Sequence, residues 1–362
     1  MKRNECKMKT INKSKIKNSK LYKNAVIQVQ LNWIFVTIIG AIILFFFITI
    51  VTKQKDISET QLTDEIVRDL DDLITGAQVA TGGASEIPIP DVKLEFACNE
   101  YRVNNQRLPI GSRIVFGASK IEDRSVVVWS VPWNLPYKVT DFLFITAPNI
   151  KYVFAYDFEK PHAQQYHDIF LNYIPDQINK IEVDIADDKK IEFSNENSYK
   201  TKIIAIGDEV YPPDFAVNEK TTIVQVPRYN SNINHFTDPI EFWQYDGRDW
   251  FELEGQTTFI DKSSLMGAMF SDNIDDYKCV MVKVFQNLNA LNKVHMQRTN
   301  MLVSANLPSN LYQDSLPYFQ SIDDATQNPE MWESNVANIF NSAQELDRQN
   351  SRIEQMSLPL LY

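Results

Sequence analysis

The sequence predicts an α+β protein with an N-terminal transmembrane helix and stalk helix, a mixed β and α/β extracytoplasmic body, and a C-terminal helical hairpin. Three observations carry this. Residues 31–51 (LNWIFVTIIGAIILFFFITIV) are apolar and uncharged. Runs of β-branched and aromatic residues recur between residues 92 and 253, the composition of pleated, half-buried strands. Two C-terminal segments repeat apolar residues at three- and four-residue intervals, the period of a helix with one buried face.

The apolar run comes first because it decides the compartment. No Asp, Glu, Lys or Arg lies between Lys23 and Lys53. At 1.5 Å per residue the run spans a hydrocarbon core of roughly 30 Å. It is longer than a cleavable h-region of about 7–15 residues. Thr49-Ile50-Val51-Thr52-Lys53 contains no small-residue cleavage site, so an uncleaved signal anchor over 31–52 is expected. The preceding tail, residues 1–30, holds nine Lys/Arg against one acid, Glu5. Short basic flanks stay cytoplasmic. The expected topology is single-pass, with the N-terminus cytoplasmic, membrane lipid around residues 31–52, and the bulk of the chain extracytoplasmic.

Residues 31–362 hold 27 basic and 46 acidic residues, a formal charge of −19. Such a body repels nucleic acid and anionic lipid, so no nucleic-acid partner is expected. Cys6 lies in the tail, while Cys98 and Cys279 fall outside the membrane. Two cysteines in an oxidising compartment can pair. The alternative is that each is a small buried apolar residue, and the sequence leaves both open. The single N-x-S/T sequon is at Asn12, on the cytoplasmic side.

The remainder divides by pattern. Residues 53–80 read as a stalk helix, with Leu62, Ile66, Leu70 and Leu73 on one face and acids on the other. Thr81-Gly82-Gly83-Ala84-Ser85 breaks it. Residues 81–149 read as β-rich, with strands over 92–96, 125–131 and 141–146 punctuated by Pro109-Ile110-Gly111 and Pro132-Trp133-Asn134-Leu135-Pro136. Residues 150–270 read as an α/β layer with some parallel pairing. Its strands lie over 151–156, 202–206 and 222–226, with a helix over 162–173 and an aromatic hairpin turning at Asp246-Gly247. Residues 271–362 form the helical region: a helix over 274–303, a Pro-containing connector, and a helix over 330–355. In the last helix Trp332, Val336, Ile339, Ala343, Leu346, Asn350 and Ile353 form a heptad seam, with Asn350 as a register-setting polar position. The pattern favours packing of this seam on its own domain; the alternative is coiled-coil pairing with a partner protein or a second copy. On that alternative, deleting 330–362 weakens an assembly and leaves the body folded.

Candidate chemistry is sparse. His162 and His167 are five residues apart, roughly 140° on a helix, where a shared zinc site needs three or four. His235 and His295 are isolated. The motifs G-x-S-x-G, Walker A, G-x-G-x-x-G and H-E-x-x-H are all absent. The one cryptic metal set is Asp157 and Glu159 after one predicted strand with Asp208 and Glu209 after another. Strand carboxyl ends are where open α/β sheets bind ligands, and four carboxylates there suit a divalent cation. Solvated loop acids are the plainer reading. Trp243 and Trp250 flank a turn as a ligand platform or, more simply, as strand core. No cofactor is expected.

Gln28-Val29-Gln30-Leu31-Asn32-Trp33-Ile34-Phe35-Val36, then Thr75-Gly76-Ala77-Gln78-Val79, Cys98 after an alternating strand, and Tyr277-Lys278-Cys279-Val280-Met281 together resemble a group of uncharacterised single-pass membrane proteins of small-genome archaea. The resemblance covers most of the chain and implies compartment and architecture, not an activity. Gln28, Gln30 and Asn32 also match the spacing of archaeal pilin-type signal sequences. Asn32 stands where those carry an acid, and Ile27 where they carry a small residue. The functional expectation is a non-enzymatic cell-envelope protein presenting a binding or scaffolding domain. The alternatives are a pilin-like subunit processed near Gln28 and a divalent-metal-dependent hydrolase at the acidic loops.

Overall fold

A computed structural model describes residues 19–79, 83–90, 92–104, 106–159, 173–185, 200–207, 221–226, 239–245, 251–305, 307 and 310–362. The chain divides into two units, residues 1–62 and 63–362. Helix α1, Ser19–Val79, contributes to both, so the predicted anchor and stalk are one continuous helix. In the first unit, Trp33–Gln54 is the one helical stretch among the described residues long and apolar enough to cross a membrane, and none of it is buried. Thr37, Thr49 and Thr52 return their hydroxyls to main-chain carbonyls one turn back, so the stretch satisfies its own polar groups, as a helix in lipid must.

In the second unit the last turns of α1 bury Ile66, Val67 and Leu70. Arg113 fixes them from the body, donating to Asp71 at 2.5 Å and to Thr75 at 3.1 Å. The predicted apolar face of the stalk is thus a docking face over these residues.

Three sheets follow. The first has the order β1-β7-β8-β5, from Ser85–Pro88, Ser125–Asn134, Lys138–Thr146 and Ile114–Gly117. The second is antiparallel, β4-β3-β2-β6, from Gln106–Pro109, Glu100–Val103, Leu94–Phe96 and Lys120–Ile121. The third has the order β10-β9-β11-β12-β13-β14, from Lys180–Asp184, Ile150–Tyr156, Lys200–Ile206, Thr221–Val226, Ile240–Tyr245 and Phe251–Thr257. Its first four strands are parallel and its last two antiparallel. The predicted parallel pairing is present. The predicted helix over 162–173 and the Asp246-Gly247 turn lie outside the described residues. β7 runs through Pro132, which the sequence reading took as a breaker. β1 pairs only with Ser125–Val128, so at Pro132 the edge away from β8 carries no ladder bond, and proline is tolerated there.

The predicted C-terminal hairpin is corrected. Helix α2, Lys262–Phe270, precedes this region, and three α-helices build it: α3, Ile274–Ser304; α4, Leu311–Thr326; and α5, Trp332–Gln355. Asp261 caps α2 with a reciprocal capping box to Ser264, and Asn273 caps α3. Helix α4 occupies what reads as a connector because Pro317 sits inside it. An interior proline costs about 3 kcal/mol. Burial of Tyr312, Phe319 and Ile322, at about 1.5–3 kcal/mol per large side chain, offsets that cost.

The α5 seam packs on its own domain, as the pattern favours, and the alternative of a partner surface is corrected. Trp332, Val336, Ile339, Ala343, Leu346 and Ile353 are each at most 2% exposed. They pack into the chain's own core, where Trp332 stacks on Phe285 of α3 at 5.3 Å, so no partner helix can occupy this seam in the folded chain. Asn350 sets no register: its Oδ1 accepts the Leu361 N–H at 2.8 Å and fastens the C-terminal strap. Trp332→Ala should therefore cost about 3–5 kcal/mol in urea unfolding. Deleting 330–362 should abolish cooperative unfolding of the body; an unchanged transition would show that the bundle does not depend on α5.

Candidate functional site

The carboxyl ends of β9 and β11 are neighbours, with Tyr156 paired to Ile206, so Asp157 follows a strand end that lies beside the end of β11. Asp157 accepts the Glu159 N–H at 2.9 Å in a local turn. Asp208 and Glu209 lie outside the described residues, as do His162, His167, His235 and Trp250. Among the described residues no group of three or more His, Cys, Asp or Glu is placed to hold a metal. Trp243 packs against the cluster Val153, Ala155, Ile203, Ala205 and Ile223 on one face of the third sheet. Cys98 and Cys279 are joined in a disulfide, Cα to Cα 5.9 Å, tying the β2–β3 turn to α3. Lys283, one turn on, donates to the Cys98 carbonyl.

The densest chemistry lies where the sequence reading placed none. Lys200 and Lys202 project from the same face of central strand β11. The side chain of Lys202 is 1% exposed. Its Nζ donates to the Ser271 carbonyl in the α2–α3 connector. The next residue, Asp272, is 6% exposed. Its Oδ2 accepts the Ser119 N–H at 2.6 Å and the Ser119 hydroxyl at 2.7 Å and pairs with the Lys200 ammonium. Tyr152, opposite Lys202 on β9, donates to or accepts from Thr146 at 2.7 Å. Thr222, opposite Lys202 on β12, has a buried hydroxyl with no partner among the described residues.

The Asp272 carboxylate thus pairs with Lys200 and feels the charge of the buried Lys202 at longer range. Burial opposes ionisation of Asp272, but the charges of Lys200 and Lys202 and the bonds from Lys200 and Ser119 outweigh it and hold the carboxyl below its ordinary range. Lys202 goes the other way. Burial pulls it down to about 7, Lys200 adds repulsion, and Asp272 only partly resists. Burial also raises Glu254 and Asp276, which act on Lys202 at longer range. The junction holds a buried lysine amine bonded to a main-chain carbonyl, a buried carboxylate that takes two Ser119 donors on one oxygen, and the Lys200 ammonium paired with it. The signal in the sequence was the parity of Lys-Thr-Lys-Ile-Ile-Ala-Ile: Lys200 and Lys202 share the side of Ile204 and Ile206, which marks them as buried if the strand is central.

His295, on α3, meets Tyr137 at 4.2 Å and Tyr362 of the strap at 5.9 Å, centroid to centroid. Its Nδ1 is buried without a partner among the described residues. Burial and then Arg298 hold it below 6.5, against a bond to the Leu361 main chain.

No protein-family model, curated protein or solved structure matches the chain.

Asp272→Ala strands the Lys200 charge and should destabilise the body by about 3–5 kcal/mol, read by urea titration. The depressed His295 means that the unfolded chain binds its proton first. Stability should therefore fall as pH drops from the ordinary histidine range of about 6.5 toward the lower folded value. His295→Phe should flatten the difference between the wild-type urea midpoints over that range; an unaltered slope would remove His295 as its source.

Proposed function

We propose that the chain is a single-pass, membrane-anchored protein of an archaeal-type cell envelope, with a disulfide-bonded body outside the cytoplasm that acts as a non-enzymatic binding or scaffolding domain. The observation that carries this reading is the exposed apolar stretch Trp33–Gln54. A soluble chain would bury or lose such a surface, whereas a bilayer covers it. The basic tail before it orients it by the positive-inside rule. The Cys98–Cys279 bond supports an oxidising compartment for the body. With the seam of α5 spent inside the chain, a partner binds on the outer surfaces of the body.

Intact cells expressing the full chain test the topology. After alkaline carbonate washing the protein should stay with the membranes. External protease should remove the body and spare the tail. Maleimide should label Cys6 alone until reduction exposes Cys98 and Cys279. Protection of the body from external protease would overturn the orientation. Cross-linking in native membranes should then give discrete protein neighbours; cross-links mainly to itself, from a chain cut before Gln28, would replace the scaffold with a pilin-like subunit.

A further inference from the structure

We propose that residues 356–362 form an acid-sensitive latch: this strap closes over the end of α3 while His295 is neutral, and protonation of His295 releases it with the rest of the body intact. The strap leaves α5 through Ser357, a non-glycine residue held at a left-handed φ of 54°. It is fastened along its length. The Leu358 N–H donates to the Ile353 carbonyl at 3.2 Å. The Pro359 carbonyl accepts the Tyr312 hydroxyl of α4 at 2.8 Å. The Leu361 N–H donates to Asn350 Oδ1 of α5 at 2.8 Å, and the Tyr362 hydroxyl to Asp347 Oδ1 at 3.4 Å. Leu361 is 0% exposed, so the strap fills an apolar seat.

His295 is the group at this closure that changes charge near neutral pH. Its ring is covered by Tyr137 from the β7–β8 turn at 4.2 Å and by Tyr362 of the strap at 5.9 Å. An imidazolium donates from both nitrogens. The closed strap offers a bond to the Leu361 main chain, while Nδ1 is buried with no partner among the described residues. A proton held there is a buried donor without an acceptor. The neighbours do not repair this. Arg298, one turn along α3, adds like charge, and burial and Arg298 together hold the ring below its ordinary range. Tyr137 gives its hydroxyl to Asn292 at 3.2 Å, Tyr312 gives its own to Pro359, and Asp347 of α5 is engaged by Tyr362. The Tyr137 face returns part of the cost by cation–π attraction, but only the open strap gives both nitrogens to water. The open form therefore binds the proton first. Between the ordinary histidine value and the lower closed value, the closed-to-open constant rises about tenfold per pH unit of acidification. Opening bares the seat of Leu361 and unpins the end of α3.

Hydrogen–deuterium exchange of the full chain in detergent, read by mass spectrometry from about pH 7 to 5 and corrected for the intrinsic pH dependence of exchange, decides this. Peptides covering 357–362 should lose protection by about tenfold per pH unit, while those covering 274–290 and 332–346 keep theirs. His295→Phe, which keeps a ring and removes the proton site, should leave the strap protected throughout. Asp347→Asn, at an exposed position, should still open in acid, which keeps the assignment testable if the His295 variant does not fold. Strap protection unchanged by acid would overturn the proposal. Loss spread evenly over the body would overturn it too, as would acid opening that persists in His295→Phe or vanishes in Asp347→Asn.

Discussion

The body depends on one ring. Tyr277, in the first turns of α3, is fully buried and touches an aromatic from each major layer. Phe116 of the first sheet lies 6.1 Å away, Phe242 of the third sheet 6.2 Å, and Trp332 of α5 6.2 Å. Its hydroxyl donates to the Thr258 carbonyl at 3.1 Å, so the one polar atom it takes into the core is satisfied. Each such pair adds about 0.5–1.5 kcal/mol beyond the area it buries. The arrangement explains why helix α2 needs Gly267: a Cβ there would stand 2.8 Å from the Phe116 ring, and Phe116 is the ring that carries the contact to Tyr277.

From Phe116 the aromatic packing runs through Phe142 and Phe144 to Trp133 and Trp129 of β7, then to Phe270 of α2. Both tryptophans of β7 are therefore core. Apolar contact of this kind is non-directional. It holds the layers together without fixing how one slides on another. The junction of Lys200, Lys202, Asp272 and Ser119 supplies the direction: a strand of the third sheet, a loop beside the first, and the α2–α3 connector meet at one carboxylate. Buried ion pairs are weak evidence for net stability, and the specificity they confer is a hypothesis to be tested in each protein. Here their value is in specifying which surfaces meet.

The second unit reads as a platform in which two long-range ties converge on α3. The disulfide holds it to the small antiparallel sheet, and the aromatic core holds it to the other two sheets. The C-terminal strap closes the far end of the same helix, where Tyr137, His295 and Tyr362 stack and Tyr312 donates to the Pro359 carbonyl at 2.8 Å. Helix α3 is thus pinned at both ends. That rigidity suits the scaffolding role proposed for the body.

What the sequence determined by itself was whatever is written in one segment's periodicity or charge. The apolar run over 31–51, the strands at 125–131, 141–146, 151–156, 202–206 and 222–226, and the helices at 274–303 and 330–355 were legible, because hydrophobic period and the absence of charge are local properties. The neighbouring carboxyl ends of β9 and β11 follow from the parallel pairing that the strand pattern predicts. Tertiary structure decided the rest. Helix α4 was hidden by Pro317, whose local penalty is outweighed only by burial against α3 and α5. The α5 seam carries the pattern of a coiled coil, and only the fold shows which surface fills it. Lys200 and Lys202 look like ordinary strand-edge charges until β11 is seen between β9 and β12 with Asp272 and Ser119 facing it. Ser271 lies 69 residues from Lys202, and Ser119 lies 153 from the Asp272 it donates to, and no one-dimensional pattern encodes a meeting of charges across such separations.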